Sequence, residues 1–220
     1  MSPAQMADAM DMHDDLALGM FKLDQFEHAV GASSAAWEAE AWYGGDFDKF
    51  WLRSDAEHDD RRNDVRIEAF WDHAFASFWD WQLGVRHDAG SGPARDWAAF
   101  GVQGIAPYWF EIEATAYVGE QGRSAARLRA EYELLFTQRL ILQSEAQLDL
   151  YGRSDAQREV GAGVSQASVG LRLRYEIRRE FAPYVGIVRT QRFGDAATFA
   201  RAAGHDALDT QVVAGVRVWF

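Results

Sequence analysis

The stretch VGLRLRYEIRR (residues 169–179) alternates between apolar and mostly charged side chains. Apolar side chains occupy the odd positions, at Val169, Leu171, Leu173, Tyr175 and Ile177. Charged side chains occupy even positions, at Arg172, Arg174, Glu176 and Arg178. A period of two predicts a β-strand, because successive side chains of a strand point to opposite faces of its sheet. So many long charged side chains on one face do not fit the apolar core of a soluble protein. We therefore expect one face to contact water and the other to contact hydrocarbon.

The same period recurs along the chain, in VRIEAFWD (65–72), WFEIEATAYVG (109–119) and DTQVVAGVRVWF (209–220). In the last of these, one face carries only apolar side chains, from Val212, Ala214, Val216, Val218 and Phe220. We expect this segment to be a membrane strand that closes the sheet, with Phe220 in a girdle of aromatic side chains at the membrane surface.

Turn residues divide the chain into twelve predicted strands. Short breaks fall near residue 45 and at 76–77, 106–107, 137–139 and 182–183, and longer polar connections alternate with most of them. The predicted strands span about 22–30, 36–44, 48–55, 64–75, 78–88, 96–105, 108–118, 124–136, 139–151, 166–179, 182–192 and 210–220. An even number of strands, near the roughly 9 to 11 residues that cross a bilayer, is typical of an outer-membrane barrel.

Large aromatic side chains flank the short breaks, at Phe75, Phe78, Trp79, Trp81, Tyr108, Trp109, Phe136, Phe181 and Tyr184. Aromatic rings at one level of every hairpin predict an interfacial girdle. The predicted fold class is therefore all-β: a closed antiparallel transmembrane β-barrel of about 12 strands (residues 22–220), after a short disordered N-terminal tail (residues 1–21). A soluble barrel or sandwich would also show a period of two, but so many apolar faces exceed what one small interior can hold.

Composition excludes several other classes of protein. The 220 residues fit one domain, and the net charge of -12 argues against nucleic-acid binding, which needs a basic surface. The chain has no cysteine, so disulfides, thiolate metal sites and cysteine nucleophiles are excluded. Charges interrupt every apolar run before the roughly 18 to 20 residues of a membrane helix. The start, MSPAQMADAM, lacks the features of a secretory signal, and we favour a processed form over a cytosolic chain.

Several long stretches resemble one known family. These stretches are FWDWQLGVRHD (78–88), WAAFGVQGIAPYWFEIEATAYVG (97–119), RLRAEYELLFTQRLILQSEAQLDLYG (127–152), LRLRYEIRREFAPYVGI (171–187) and DTQVVAGVRVWF (209–220). Together they resemble the copper resistance protein B (CopB) family from about Leu23 to Phe220. The resemblance implies an outer-membrane protein of copper tolerance in a Gram-negative bacterium, with a periplasmic copper-binding protein or multicopper oxidase as partner. Short turns on one side of a barrel and longer loops on the other predict that both termini are periplasmic. The other expected partner is outer-membrane lipid, and no nucleic acid is expected.

The first twenty residues contain all five methionines of the chain. Members of the family often carry a Met- and His-rich segment before the barrel, and here MADAMDMHDD (6–15) and the nearby Met20 resemble it, so we expect this segment to be truncated. Thioethers are soft ligands suited to Cu(I), and imidazole accepts either Cu(I) or Cu(II). The candidate copper ligands are Met6, Met10, Met12, His13 and Met20. The alternative is a disordered acidic tail that binds no metal, and the remaining histidines are expected to have no ligand role.

Charged side chains on the polar strand faces are predicted to line the lumen. The candidates for a functional role are Glu111, Glu113, Arg172, Arg174, Glu176 and Arg217. Twelve strands lie between eight, whose interior is filled by side chains, and sixteen, which leave an aqueous channel, so a narrow or plugged lumen is predicted. Two roles stay open: the charges pair across strands and fill the barrel, or carboxylates such as Glu111 and Glu113 guide a cation.

The function predicted on these grounds is an outer-membrane barrel of bacterial copper resistance that binds or exports copper ions, and not an enzyme. One alternative is a general porin for small solutes without a metal preference. Another is an outer-membrane lipid hydrolase, which needs a serine, a histidine and a polar orienting group in reach of one another. The scattered histidines give no such spacing.

Overall fold

Twelve antiparallel strands form a closed barrel in the computed structural model of the chain, which describes residues 17–60 and 62–220. The strands are Leu18–Ala29 (β1), Ala35–Gly44 (β2), Asp48–His58 (β3), Asn63–Ala76 (β4), Trp79–Gly90 (β5), Arg95–Ala106 (β6), Phe110–Gly119 (β7), Ser124–Leu135 (β8), Leu140–Tyr151 (β9), Gly163–Tyr175 (β10), Phe181–Arg192 (β11) and Leu208–Trp219 (β12). Each strand pairs with its neighbours in sequence, and β12 returns to pair with β1. The predicted closed barrel is confirmed.

The barrel is closed by β12, which lies within the stretch (209–220) that was predicted to close the sheet. Leu23 of β1 lies opposite Val218 of β12, and reciprocal backbone hydrogen bonds of 2.8 and 3.0 Å join Phe21 to Phe220. Because β1 and β12 satisfy each other's backbone groups, the sheet has no free edge.

The two faces of the sheet differ as the alternation predicts. On β12, Val212 is 52% exposed on the outer surface, whereas the adjacent Val213 is 3% exposed and lies inside. The outer surface carries large apolar side chains from every part of the barrel, such as Phe26, Leu52, Ile67, Val85, Phe100, Leu128, Leu171 and Ile187. A lipid-facing band explains why these side chains are exposed.

The two ends of the barrel are unlike each other. We call the end at which β1 begins and β12 ends the turn end, and it carries the short connections at 45–47, 77–78, 107–109, 136–139 and 176–180. The opposite end, the loop end, carries connections that include residues 152–162 and 193–207. Exposed aromatic side chains cluster at the turn end, from Phe47, Phe75, Phe78, Tyr108, Trp109 and Phe136.

The turn between β6 and β7 places two aromatic residues in an unusual backbone conformation. Tyr108 and Trp109 have φ angles of 68° and 65°, in the left-handed region that glycine and asparagine usually occupy. Their side chains are 83% and 75% exposed. The turn therefore presents both rings at its tip.

Three details differ from the prediction. Strand β1 begins at Leu18, so Met20 lies in the barrel wall, and β10 ends at Tyr175, before a turn at 176–180. A helix, Gly194–Ala203 (α1), interrupts the predicted loop at 193–209. Its small buried side chains, Ala196, Ala197 and Ala200, let it lie closely against β10 and β11. No helix in residues 17–60 and 62–220 is long and apolar enough to cross a membrane.

A bulge in β1 changes which of its side chains face inward. The register shifts between Leu23 and Phe26, so the adjacent Asp24 and Gln25 are both buried. Beyond the bulge the alternation is reversed, because an extra residue on one strand moves the following side chains to the other face. Glu27 consequently points inward and Phe26 outward.

We predict that Ile187→Arg destabilises the barrel. Ile187 is 54% exposed on the outer surface near the middle of β11. A charged side chain on the lipid face at mid-membrane costs about 2–4 kcal/mol. Reversible urea unfolding in lipid vesicles measures this cost, with Ile187→Ala as the control. An unchanged free energy of unfolding for Ile187→Arg would mean that this surface does not contact hydrocarbon.

Candidate functional site: the charged lumen

Arg172 on β10 lies at the centre of a network of buried polar side chains. Its guanidinium donates to both carboxylate oxygens of Glu27, at 2.9 and 3.0 Å. It also donates to Glu145 of β9 at 2.9 Å and to the side-chain oxygen of Gln25 at 2.8 Å. Arg172 is 4% exposed and Glu27 is 9% exposed. Bidentate pairing of this kind fixes geometry, so Arg172 ties β1, β9 and β10 together inside the barrel.

Arg129 on β8 reaches the opposite wall of the barrel. Its Nη1 donates to Glu38 of β2, and β2 and β8 lie half-way around the ring of strands from each other. Its Nε lies 3.2 Å from a carboxylate oxygen of Glu145, and its Nη2 lies 3.9 Å from Glu131. One guanidinium thus contacts carboxylates on β2, β8 and β9.

Arg53 on β3 forms a second link through the lumen. It donates to Glu113 of β7 at 3.2 Å and to the side-chain oxygen of Gln103 of β6 at 2.6 Å. Gln103 in turn donates to Asp72 at 2.7 Å. The Arg53 guanidinium also lies over the Phe70 ring, 5.5 Å from its centroid. Polar and aromatic side chains together fill this part of the interior.

An aromatic cluster fills the β4–β8 side of the lumen, formed by the buried side chains of Phe70, Trp97, Ala99, Tyr117 and Ala125. The Tyr117 hydroxyl donates to Glu68 at 2.7 Å. The Arg86 guanidinium lies 4.6 Å from the centroid of the Tyr117 ring and forms paired hydrogen bonds of 2.8 Å to Asp88. The charged groups here are therefore hydrogen-bonded as well as paired.

These links divide the space inside the barrel. A cavity of about 650 Å³ opens toward the loop end, and its lining reaches down to Glu38, Arg127, Glu145 and Arg172. A cavity of about 20 Å³ lies at mid-height, with a lining that includes Glu38, Arg53, Glu113 and Arg129. The smaller volume holds on the order of one water molecule. Side chains therefore leave little space in this part of the lumen.

Further pairs link the walls of the lumen toward the turn end. Arg217 of β12 lies 2.8 Å from Asp24 and also donates to Glu133 of β8 at 2.8 Å. Arg174 of β10 donates to the same Glu133 oxygen at 2.9 Å. Glu133 thus connects β8, β10 and β12.

The predicted lumen residues occupy different environments. Glu113, Arg172, Arg174 and Arg217 form ion pairs across the lumen. Glu111 lies opposite Glu131 in the β7–β8 register. Glu176 lies just beyond the end of β10, 3.8 Å from Arg174, where burial and the nearby Glu133 raise its pKa above the ordinary value.

The candidate copper ligands divide into two groups. Met6, Met10, Met12 and His13 lie outside the described residues. Met20 lies on β1 opposite Trp42 of β2, at the turn end. Among residues 17–60 and 62–220, no three His, Asp or Glu side chains converge in a way that could hold a metal ion.

Sequence reasoning did not identify Glu27, Arg53 or Tyr117 as functional side chains. The bulge at Asp24 and Gln25 reverses the alternation of side chains before Glu27. A prediction that assumes a strict period of two cannot detect a bulge, so it places Glu27 on the wrong face. Arg53 lies two residues after Trp51 on the inner face of β3. The alternation along β3 could therefore have identified Arg53 as a lumen residue. Tyr117 shares a strand face with Glu111 and Glu113, but the sequence does not indicate its hydrogen bond to Glu68.

The segment between β9 and β10 (residues 152–162), here called the mouth segment, crosses the loop end. Arg158 lies 3.4 Å from Asp64 and donates to the backbone oxygen of Ser91 at 2.9 Å. Arg62 donates to Glu159 at 2.9 Å. Asp64 and Ser91 belong to the β4–β5 side, across the barrel from β9 and β10. The segment therefore partly covers the large cavity.

Asp155 anchors the mouth segment to the barrel wall. Two nitrogens of Arg95 donate to one of its oxygens at 2.8 and 3.1 Å, and Arg123 lies 3.8 Å away. Burial tends to raise the pKa of Asp155, but the hydrogen bonds and charge of Arg95, with Arg123, hold it below its ordinary value of 3.8. Ionised Asp155 is thus the form that holds the segment in place.

We predict that Arg172→Ala destabilises the barrel by about 3–5 kcal/mol, because Glu27 and Glu145 would each lose a buried cationic partner. Urea unfolding in vesicles gives the free energy. Arg189→Ala is the control, since Arg189 is exposed on the outer face of β11. Equal losses for the two variants would contradict a structural role for the Arg172 network.

We predict that acid releases the mouth segment. A carboxylate whose folded-state pKa is depressed contributes stability above its unfolded pKa, and this contribution is lost as the pH falls below about 3.8 through the folded value. A spin label at Gln157→Cys should become more mobile over that pH range. Asp155→Asn should give the mobile spectrum at neutral pH, whereas Asp96→Asn, a change at an exposed carboxylate beside Arg95, should not. A label that stays immobile in Asp155→Asn would contradict this anchoring.

Comparisons of the fold with solved structures identify outer-membrane porins. The "NanC porin" structure has a TM-score of 0.58 and 11% identity, and the alignment covers 92% of this chain and 100% of that one. The "KdgM porin" has a TM-score of 0.55 and 12% identity, with coverage of 92% and 99%. At such low identity these likenesses concern the fold alone.

Comparisons of the sequence give a closer relationship. The "Copper resistance protein B homolog" of Pseudomonas syringae pv. tomato is 42% identical over 212 residues, which is 95% of this chain and 72% of that protein. The "Copper resistance protein B" of Escherichia coli is 39% identical over 212 residues, with the same coverage. The sequence profile described as "Copper resistance protein B precursor (CopB)" matches residues 17–220. The chain belongs to the copper resistance protein B family and is a copper resistance β-barrel of the outer membrane.

Proposed function

We propose that this barrel binds copper ions and exports them across the outer membrane, as part of copper homeostasis. The observation that carries the proposal is the family match over residues 17–220, which coincides with the whole of the barrel. The relatives and structural neighbours are named as copper resistance proteins and porins, and we propose that the chain is not an enzyme.

The proposed copper-loading site is the stretch before β1. Met6, Met10, Met12 and His13 supply soft sulfur and imidazole ligands, which suit Cu(I) and also accept Cu(II) through the histidine. These residues join the barrel at the turn end, because β1 begins there. Met20 follows on β1, two residues before the lumen-facing Lys22, and it would extend the ligand set toward the lumen.

The proposed orientation places the turn end in the periplasm. In single-chain outer-membrane barrels the short turns are periplasmic and the longer loops extracellular. Here the short turns and the start of β1 share one end. A periplasmic copper-binding protein or a multicopper oxidase would then meet the loading site without crossing the membrane, and lipid would surround the outer wall.

A general porin is the alternative function. It requires a lumen that passes hydrated solutes of many kinds, whereas Arg129, Arg172 and Arg53 place hydrogen-bonded side chains inside the barrel. A lumen filled in this way favours a restricted cargo.

The copper-loading proposal predicts that one combined variant loses Cu(I) binding. The variant carries alanine in place of Met6, Met10, Met12 and His13. The Cu(I) bound per chain in detergent, measured by competition with a chromogenic chelator, should fall. A control with asparagine at Asp8, Asp11, Asp14 and Asp15 should keep its Cu(I), because carboxylates are hard ligands. Unchanged binding in the alanine variant would exclude the tail as the loading site.

The export part of the proposal needs a separate measurement in cells. Cells that produce the intact chain should hold less copper after a copper load than cells that lack it, and the alanine variant should lie between them. Equal copper contents in all cells would contradict export, whatever the result of the binding assay.

A further inference from the structure

We propose that Arg129 is the central barrier among the arginines that fill the lumen, and that it determines which ions pass. The copper proposal bears on the identity of the cargo, whereas this inference concerns the conduction of any small ion. It depends on the position of one guanidinium between two opposite walls of the barrel.

The Arg129–Glu38 pair joins opposite walls of the barrel. The other ion pairs inside the barrel join strands at most five positions apart around the ring, as from Arg127 on β8 to Asp55 on β3. The pair of Arg129 and Glu38 joins β8 to β2, which are six positions apart in both directions. It therefore spans the full width of the lumen.

The Arg129–Glu38 pair lies beside a small cavity. Glu38 and Arg129 both line the 20 Å³ cavity, and Glu38 also lines the base of the 650 Å³ cavity. The pair thus lies where the wide upper space ends. A hydrated ion is larger than this 20 Å³ space, which holds about one water. In the proposal, passage requires Arg129 and Glu38 to separate.

Arg129 offsets the negative charge of several carboxylates. Arg129 contacts Glu38, Glu131 and Glu145, and Glu145 has a second basic partner in Arg172. Without the Arg129 guanidinium, Glu38 and Glu131 would leave excess negative charge in this part of the lumen. In a narrow, low-dielectric passage such charge attracts cations and repels anions. Arg129 therefore suppresses a cation pathway that its carboxylate neighbours would otherwise form.

Two variants that change the charge in opposite directions test this inference. Both Arg129→Gln and Glu38→Gln break the cross-lumen pair, so both should raise the conductance of the full chain in planar bilayers with KCl. In a KCl gradient, Arg129→Gln should shift the reversal potential toward that of K⁺. Glu38→Gln should shift it toward that of Cl⁻, because Arg129 then loses one of its carboxylates.

Arg189→Gln is the matched control, since it removes the same charge from the exposed outer face of β11 and should leave conductance and reversal potential unchanged. Far-UV circular dichroism of each variant checks that the barrel has formed. If both variants form barrels and keep the parent conductance, Arg129 does not close the lumen. If both shift the reversal potential in the same direction, Arg129 does not set the selectivity.

The measurement contains no copper, so it is independent of the proposed cargo. A positive result here together with unchanged Cu(I) binding in the tail variant would keep the closure by Arg129 and reject the loading site. Parent conductance in both lumen variants, together with lost Cu(I) binding in the tail variant, would keep the loading site and reject the closure by Arg129.

Discussion

Backbone hydrogen bonding in lipid is the constraint on which the rest of this structure depends. Hydrocarbon offers no partner for a free N–H or C=O group, so a membrane-spanning sheet must close on itself. Here closure is achieved by β1 and β12, through pairs such as Leu23 with Val218 and Phe21 with Phe220. Once the ring is closed, alternate side chains of every strand must face the same interior. The chemistry of the lumen follows from which residues occupy those positions.

An interior made of twelve polar faces is a problem in electrostatics. A buried arginine stays charged, and a carboxylate without a partner is costly inside a protein. The barrel meets this in part by giving a central guanidinium several acceptors, as Arg172 has in Glu27, Glu145 and Gln25. The same pairing that makes the charges tolerable also fills the space that a solute would need. Stability of the interior and permeability are therefore in direct opposition.

Much of the fold could be predicted from the sequence, because alternation and turn residues are local signals. The strand ends at Gly44 and Tyr151 agree with the prediction. The helix α1 was not predicted and lies in a segment that was expected to be a loop. The alanines of this segment and the C-terminal cap at Gly204 are the signals that indicate a short helix. The alternation could place Arg172 and Glu113 inside the barrel. It could not show that Arg129 meets Glu38, because the identity of the facing strand depends on closure and not on sequence spacing. The inward position of Glu27 could not be predicted either, because the bulge in β1 depends on pairing with the neighbouring strands.

The left-handed turn at Tyr108 and Trp109 has a consequence for how the barrel sits in its membrane. Each non-glycine residue in that region costs about 1–2 kcal/mol, a cost that Asn-Gly at the same positions would avoid. Indole and phenol rings favour the headgroup layer, where an apolar body and a polar edge are both accommodated. The conformational cost is thus offset only when the hairpin tip reaches that layer. This hairpin then fixes the position of the barrel along the membrane normal. It thereby also fixes the depth at which the ion-paired middle of the lumen lies.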